Sequence, residues 1–171
     1  MVGAASMTEI PSIMLIGCGR SKLQEQSPAR DLYTGSLFRA RRSLAEEMGC
    51  RWFVISAKHG LLYPDRVIAP YDVTIDGLSV LDRAAWFPVV TSQLIDAIED
   101  PGCFYDDRDL RRVTIEIHAG ESYASRLVET LRAAGFTAFH PVANLGQGKQ
   151  MEYYAVRRRQ VGYSRIGAGR T

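Results

Sequence analysis

The chain reads WFVIS over residues 52–56 and AKHGLLYPD over residues 57–65. The first run is apolar and rich in strand-forming residues, which predicts a buried strand over residues 52–56. The second run is dense in Lys, His, Tyr, Asp, Gly and Pro, and predicts a loop. Because α/β proteins place their ligands at the carboxyl edge of the sheet, this junction predicts a binding or active site.

A second junction of the same kind lies nearer the start of the chain. Residues 12–17 read SIMLIG, which predicts another buried strand, and residues 18–22 read CGRSK. This loop combines small residues with two cations. Two such loops at the ends of two strands predict one site to which both contribute.

Helices and strands alternate along the remaining chain. Helical spacing of apolar residues occurs in four segments, residues 34–49, 79–99, 121–134 and 146–159. Pro88 is expected to kink or divide the second of these helices. Two further strands are predicted, over residues 113–118 and 137–142. The alternation predicts a single α/β domain over residues 12–160, with a mostly parallel sheet of four or more strands and helices on both faces.

Three segments are expected to lie outside this core. Residues 1–11 are predicted to form a short mobile leader, without the basic start and apolar stretch of a secretory signal. Residues 101–110 are acidic and aromatic, which predicts a surface excursion. Residues 161–171 are rich in Gly, Ser and Arg, which predicts a flexible tail.

The composition is typical of a globular protein, with 46% hydrophobic and 23% charged residues in a chain of 171. No apolar run approaches the length of a membrane-spanning helix. The three cysteines, at positions 18, 50 and 103, form no CxxC pair. This pattern favours a reducing cytoplasm over a disulfide framework or a structural zinc site. We therefore expect a cytoplasmic protein without membrane association, and nothing in the sequence specifies its oligomeric state.

The net charge is too small to indicate nucleic-acid binding by itself, since the formal value is +2. The arginines, however, are clustered, at positions 39, 41 and 42, at 111 and 112, and at 157–159. Such clusters are typical of solvated faces, and contact with phosphate is the alternative.

Three residues are candidates for catalysis. His59 titrates near neutrality and lies at a strand end, so it is suited to moving a proton; the alternative is that it caps the loop through backbone carbonyls. Asp65 and Asp72 lie in a segment stiffened by Pro64 and Pro70. Either carboxylate is suited to stabilise an oxocarbenium ion or to act as a base, and a simple turn role is the alternative.

Other residues are candidates for ligand binding. The loop after the first strand offers backbone amides and two cations to a phosphate, although its spacing is not that of a P-loop. Cys18 in this loop is either a nucleophile or a small packed residue. The full set of predicted binding residues is Cys18, Gly19, Arg20, Lys22, Tyr33, Lys58, Tyr71, Gly120, Ser122, Tyr123 and Gln147.

Physical roles distinguish some members of this set. Gly120 allows close approach of a ligand, and Ser122 falls in the first turn of a helix, whose free amides attract an anion. Tyr33, Tyr71 and Tyr123 are suited to stack on a base. Gln147 is suited to pair with a base edge. No metal site and no cofactor are predicted, because the histidines fall at no recognisable ligand spacing.

The motifs together resemble a family known only as a domain of unknown function, frequent in actinobacteria and their phages. Its pattern has a Cys-Gly-x-x-Lys loop, a Leu-Tyr-Thr segment, a Ser-Ala-x-His-Gly-Leu-x-x-Pro-Asp loop running on to Pro-Tyr-Asp, an Ala-Gly-x-x-Tyr turn and a late Gly-x-Gly turn. Here these occupy residues 18–22, 32–34, 56–65 with 70–72, 119–123 and 145–148. Residues 142–144 depart from the pattern, which has a further glycine there.

The family looks distantly similar to the peroxide-stress protein YaaA, associated with DNA protection, and to the core domain of archaeosine synthase, which modifies a base in transfer RNA. The resemblance therefore implies chemistry on a nucleobase, nucleoside or nucleotide. Our leading hypothesis is an enzyme acting at the N-glycosidic bond, by hydrolysis or by transfer of a base or ribosyl group. The alternative is a non-catalytic protein of the stress response that binds DNA or RNA.

Overall fold

The computed structural model describes residues 13–100 and 112–168. The predicted leader over residues 1–11 and the predicted excursion over residues 101–110 lie outside the described residues. Seven strands occupy Ile13–Gly17 (β1), Ser27–Pro28 (β2), Arg51–Ser56 (β3), Gly60–Leu62 (β4), Val67–Ile68 (β5), Thr114–His118 (β6) and Thr137–Phe139 (β7). Five helices occupy Ala29–Leu32 (α1), Ser36–Met48 (α2), Val80–Glu99 (α3), Glu121–Ala133 (α4) and Gln147–Ala168 (α5).

The main sheet has five strands in the order β4-β3-β1-β6-β7. β1 lies at its centre and pairs in parallel with both β3 and β6, so that Leu15 lies opposite Phe53 on one side and Ile117 on the other. β7 continues the parallel pairing, and only β4 is antiparallel. The predicted α/β domain with a mostly parallel sheet is confirmed.

Helices cover both faces of this sheet because successive side chains of a strand point to opposite sides. Leu15, Ile55 and Ile117 pack with α3 and α4 in one apolar cluster. Met14 and Ile16 pack with α2 and α5 in the other. β1 is buried at all five positions, as expected for a central strand covered on both faces.

The segment after β3 is a hairpin, where the sequence predicted a loop. Gly60 takes a left-handed φ of 70° and lets the chain reverse, after which Leu61 and Leu62 pair with β3 and are buried. The Gln93 side chain fixes this turn by accepting a hydrogen bond from the Leu61 amide at 2.7 Å. Two buried leucines after a glycine were the signal for a strand.

Several element boundaries also differ from the prediction. The short elements α1, β2 and β5 were not predicted, and β7 is half as long as expected. Pro88 lies inside α3 and does not divide it. α5 continues beyond the predicted end at residue 159, so the tail predicted to be flexible is helical as far as Ala168. Val161 packs against the core cluster of α2 and α5, which extends the helix past the predicted stop.

A buried polar network lies between β6 and α5, and it corrects the expectation of a solvated face for two of the clustered arginines, Arg41 and Arg157. Arg157 is 2% exposed and forms two hydrogen bonds with Glu116, at 2.5 and 2.7 Å. Glu116 also bonds His118 Nε2 at 2.9 Å, and His118 Nδ1 contacts the Tyr154 hydroxyl at 3.1 Å. Arg41, also buried, donates to the same hydroxyl.

Burial and pairing oppose each other in this network. Burial alone would raise the pKa of Glu116, but hydrogen bonds from His118 and Arg157 hold that pKa below its ordinary value. For His118, burial outweighs the neighbouring carboxylate and lowers the pKa, so the imidazole is neutral near pH 7. The network therefore attaches α5 to β6 through one ion pair, Glu116–Arg157.

No helix in the described part of the chain has both the length and the apolar character needed to span a bilayer.

Candidate functional site

The chain leaves β1 and β6 towards opposite faces of the sheet. β1 leads to α2 on one face, whereas β6 leads to α4 on the other. Adjacent parallel strands whose connections diverge leave a crevice at their carboxyl ends, which is where open α/β sheets bind ligands. The two strands approach so closely there that a Cβ added to Gly17 would lie 2.8 Å from the Cβ of Ala119.

A cavity of about 200 Å³ lies in this crevice, and we call it the switch-point cavity. Its walls come from the loop after β1, the start of α4 and the segment between β5 and α3. The lining residues are Cys18, Gly19, Arg20, Lys22, Asp72, Val73, Thr74, Ile75, Asp76, Gly120, Ser122 and Tyr123.

One wall is electropositive. Gly120 caps α4 without a side-chain bond, and its carbonyl accepts from the amides of Tyr123 and Ala124. The amides of Glu121 and Ser122, the first two residues of the helix, are thus at its free N-terminus, where the helix dipole favours an anion. Arg20 is exposed on the opposite loop, and Lys22 beside it donates to the Arg20 carbonyl at 3.3 Å.

The other wall carries two carboxylates with different surroundings. Asp76 accepts from the Ser122 hydroxyl at 3.0 Å and lies 3.4 Å from Arg83. Asp72 makes no hydrogen bond or ion pair with any described residue. Its carboxylate is therefore available to a ligand, whereas that of Asp76 is already engaged.

Tyr123 is the aromatic residue of the cavity lining. Burial raises the pKa of its phenol, so the hydroxyl keeps its proton and lies 3.6 Å from the Cys18 sulfur. The ring meets Trp86 edge to face at 5.3 Å, and the Trp86 indole donates to the Ser56 carbonyl at 2.9 Å. Tyr123 is thus held by its neighbours and presents an aromatic surface to the cavity.

A chain of three hydroxyl groups lies beside the cavity. Ser56 Oγ accepts from the amides of Lys58 and His59, both at 3.2 Å, so its own proton goes to Tyr71 at 2.6 Å. The Tyr71 hydroxyl contacts that of Tyr33 at 2.8 Å. Burial raises the pKa of both phenols. The chain fixes the Tyr71 ring against the turn of the β3–β4 hairpin.

The structure brings together eight of the predicted site residues in one cavity and leaves the others outside its lining. Those in the lining are Cys18, Gly19, Arg20, Lys22, Asp72, Gly120, Ser122 and Tyr123. Tyr33, Tyr71, Lys58 and His59 lie next to it in the hydroxyl chain and around the Tyr71 ring. Tyr33 is only 2% exposed, so its ring packs in the core instead of offering a face to a ligand.

Three predicted residues need separate mention. Asp65 is exposed and pairs with Arg30 at 2.6 Å, on the outer side of the hairpin. Gln147 begins α5 and is not among the lining residues. The His59 ring is half-buried, and burial together with the charges of Lys58 and Arg66 lowers its pKa.

The sequence reasoning missed the segment that forms the second wall, residues 73–76. Thr74 caps a short 3₁₀ turn at residues 75–77 by accepting from the Gly77 amide, and this turn aims Asp76 into the cavity. A Thr two residues before an Asp-Gly pair is a recognisable turn signal, and only Val73 separates it from Asp72. Among the described residues, no three His, Cys, Asp or Glu side chains are grouped so as to hold a metal ion.

Comparison with known proteins supports the predicted membership of a family of unknown function. The Uncharacterized protein YfjM of Bacillus subtilis (strain 168) is 33% identical over 69 residues, which is 36% of this chain and 46% of that protein. The chain therefore spans less than half the length of that relative. A family model described as "Family of unknown function (DUF6884)" matches residues 13–156. Since this match includes β1, the cavity and the start of α5, the chain belongs to the DUF6884 family.

Proposed function

We propose that the protein is a cytoplasmic enzyme that binds a nucleoside or nucleotide in the switch-point cavity and acts at its N-glycosidic bond. The observation that carries the proposal is the composition of the cavity walls. The lining combines a helix N-terminus and two cations with the Asp72 carboxylate and with an aromatic ring held by its neighbours.

The electropositive wall suits a phosphate group. The amides at the start of α4 offer hydrogen-bond donors that Gly120 leaves uncovered, so phosphate oxygens can approach the backbone. Arg20 adds a planar donor pair and Lys22 a point charge. The Ser122 hydroxyl is less suited to this role, because it already donates to Asp76.

The free carboxylate suits the sugar. When the bond between the anomeric carbon and the base nitrogen breaks, its electron pair leaves with the base, and positive charge develops on the sugar. Asp72 is placed to stabilise this charge, and its lack of partners among the described residues leaves its charge available for that role. In hydrolysis, water then adds a hydroxyl group to the carbon, and its second proton balances the one taken up by the departing base.

Tyr123 suits the base, because its ring lines the cavity and is held by Trp86 and by the contact of its hydroxyl with Cys18. Tyr71 is the second aromatic candidate, at the side of the cavity. A role for His59 as proton carrier requires that the ligand reach past Tyr71, since His59 is not among the lining residues. The distant resemblance to YaaA and archaeosine synthase supports a nucleobase ligand.

The alternative, a non-catalytic nucleic-acid-binding protein, loses part of its support. It relied on the arginine clusters for phosphate contacts, but Arg41 and Arg157 are buried and bonded to neighbouring side chains. Salt separates the two candidates, because phosphate-dominated binding weakens steeply between about 50 and 200 mM salt. Turnover of an uncharged nucleoside should change little over that range.

The test is a screen of nucleosides and nucleoside monophosphates, in which chromatography detects release of the free base. We expect base release from at least one of them. Asp72→Asn keeps the shape and removes the charge, so turnover should fall at least about a hundredfold, on the order of 3 kcal/mol, while KM changes much less.

Asp96→Asn is the matched control, because Asp96 is an exposed residue of α3 outside the cavity lining. It should retain full turnover. The proposal fails if no nucleoside or nucleotide releases its base, or if Asp72→Asn is as active as the control. Equal losses in affinity and turnover would make Asp72 a binding group that grips the ribose hydroxyls.

A further inference from the structure

Basic side chains surround the ring of Tyr71, just outside the switch-point cavity. The Lys22 ammonium lies 4.5 Å from the ring centroid and the Lys58 ammonium 5.5 Å from it. The His59 ring meets the same ring edge to face at 5.1 Å. Arg66 is close enough for its charge to lower the pKa of His59. We call Lys22, Lys58, His59 and Arg66 the basic rim.

No ion pair within residues 13–100 and 112–168 neutralises the positive charge of the rim. Among the described residues, Lys22, Lys58 and Arg66 form no ion pair. Elsewhere on the surface, cations do pair, as in Arg30–Asp65 and Lys149–Glu152. Like charges grouped around one ring repel each other, and an anionic ligand would relieve that repulsion.

The rim is continuous with the cavity. Lys22 belongs to both, since it lines the cavity and also lies over the Tyr71 ring. Asp72, the free carboxylate of the cavity, directly follows Tyr71 in the chain. A ligand that extends from the cavity past Lys22 therefore reaches the positive groups of the rim, which are suited to phosphate.

The cavity is too small to enclose a whole nucleotide. Its volume of about 200 Å³ is below the usual range of roughly 300–1,000 Å³ for small-molecule pockets, so part of a bound nucleotide lies outside it. The electropositive wall at α4 already serves one phosphate. The rim thus offers a place for a second one, separated from the first by the sugar at Asp72.

From these observations, and resting on the proposed function, we propose that the ligand is one nucleotide of a single-stranded nucleic acid. That nucleotide occupies the cavity, and the next phosphodiester phosphate lies between Lys22 and Lys58 beside Tyr71. A single strand is favoured because its bases are already unpaired, whereas a duplex must first be unpaired to extrude one. The hydroxyl chain holds the Tyr71 ring in place beside the two lysines.

The test compares ligands that differ in their phosphates. Fluorescent single-stranded DNA and RNA oligonucleotides of mixed sequence, a nucleoside monophosphate and ADP are each titrated against the wild type and Lys58→Gln. The variant should bind at least one of the two strands at least about fivefold more weakly, and this loss should exceed its loss for the monophosphate by a similar factor. The slope of log affinity against log salt should also decrease in magnitude by about 0.7 for that strand.

Lys149→Gln is the matched control, since Lys149 carries the same charge on α5, where Glu152 pairs with it at 2.9 Å. It should bind all ligands as the wild type does. The proposal is overturned if Lys58→Gln binds both strands as tightly as the control. It is also overturned if ADP loses as much affinity as the strands, because two directly joined phosphates would then explain the rim.

The outcome is separable from that of the base-release screen. Lys58-dependent binding of a strand without release of any base would sustain the ligand class and contradict the glycosidic chemistry. Base release from mononucleotides without Lys58-dependent strand binding would do the reverse.

Discussion

Two strand ends at the same edge of the sheet were expected to build one site, and they differ. At β1 and β6 the chain departs towards opposite faces, and a cavity remains between Cys18 and Gly120. At β3 the chain turns back on itself at Gly60, and backbone pairing with β4 fills the edge. Polar residues after a strand thus form a pocket only where the connections of two neighbouring strands diverge. Where the chain reverses instead, they form a rim beside the pocket.

The two regions are also stabilised by different kinds of polar network. Beneath the β6 end lies the ion pair of Glu116 and Arg157, whereas the β3 end is held by the hydroxyl chain of Ser56, Tyr71 and Tyr33. Charged networks tolerate the loss of one member far less well than neutral ones. This difference sets the first prediction.

Glu116→Ala should have the largest effect, because it leaves the Arg157 guanidinium buried without its partner. We expect the free energy of unfolding to fall by about 3–5 kcal/mol. Ser56→Ala removes a neutral hydroxyl at the other strand end and should cost about 1–3 kcal/mol. Urea denaturation of both variants measures the difference. A larger loss of unfolding free energy for Ser56→Ala than for Glu116→Ala would contradict this ranking of the two networks.

Two glycines give a second matched pair. Gly17→Ala places a Cβ 2.8 Å from that of Ala119, and overpacking of this kind costs about 1–3 kcal/mol. Gly60→Ala forces a φ of 70° on alanine and drives its Cβ into Gln93 Oε1, so its cost is at least as large. Only Gly17→Ala moves the cavity walls, so only it should weaken nucleotide binding, as measured by calorimetry. Equal weakening by both would mean that the hairpin is part of the same pocket.

A third pair of variants tests the electropositive wall as the phosphate site. Arg20→Gln should raise KM for a nucleoside monophosphate about tenfold, roughly 1.4 kcal/mol, with a smaller change in kcat. Arg30→Gln, at the outer side of the hairpin where Arg30 pairs with Asp65, should leave KM unchanged. Steady-state kinetics measures KM for both variants. A larger rise in KM for Arg30→Gln than for Arg20→Gln would contradict the assignment of the phosphate site to this wall.

The smallest predicted effect is on acid stability. Burial lowers the pKa of His118 below its ordinary 6.5, so the unfolded chain takes up a proton near pH 6.5 that the folded chain does not. Stability is therefore present above that pH and falls as the pH decreases, by at most about 1.4 kcal/mol per pH unit for one histidine. Thermal unfolding at about pH 7.5 and pH 5.5 measures the loss.

Variants at the two strand ends assign this loss. His118→Gln should reduce the difference between the two pH values more than His59→Gln does, because His118 is fully buried and His59 is only half-buried. His59 also has a lowered pKa, through burial and through Lys58 and Arg66. Identical pH dependence in both variants and the wild type would show that other groups control acid stability.

Much of the fold was predictable because it depends on local patterns. The apolar runs before Gly17 and Ser56 identified the central strands, and helical spacing identified α2, α3, α4 and the start of α5. The hairpin was missed because its polar residues suggested a loop, while its pairing with β3 is a long-range property. The end of α5 was missed because packing at Val161, not local propensity, sustains the helix.

The candidate site was predictable in its residue types but only partly in its arrangement. Cys18, Arg20 and Tyr123 were placed together by the rule that strand ends share an edge. Asp65 and Asp72 could not be distinguished, because both follow an aromatic or proline residue in a stiff segment. Only the structure separates them, with one paired to Arg30 outside and the other in the cavity. The burial of Arg157 was not predictable, because it depends on pairing with Glu116, which lies 41 positions earlier in the chain.

The most direct test of the central claim is a crystal structure of the protein with a nucleoside monophosphate bound. Our account predicts the phosphate within hydrogen-bond distance of the Glu121 and Ser122 amides, and the anomeric carbon beside the Asp72 carboxylate. A nucleotide bound at the hairpin, with the switch-point cavity left empty, would contradict it.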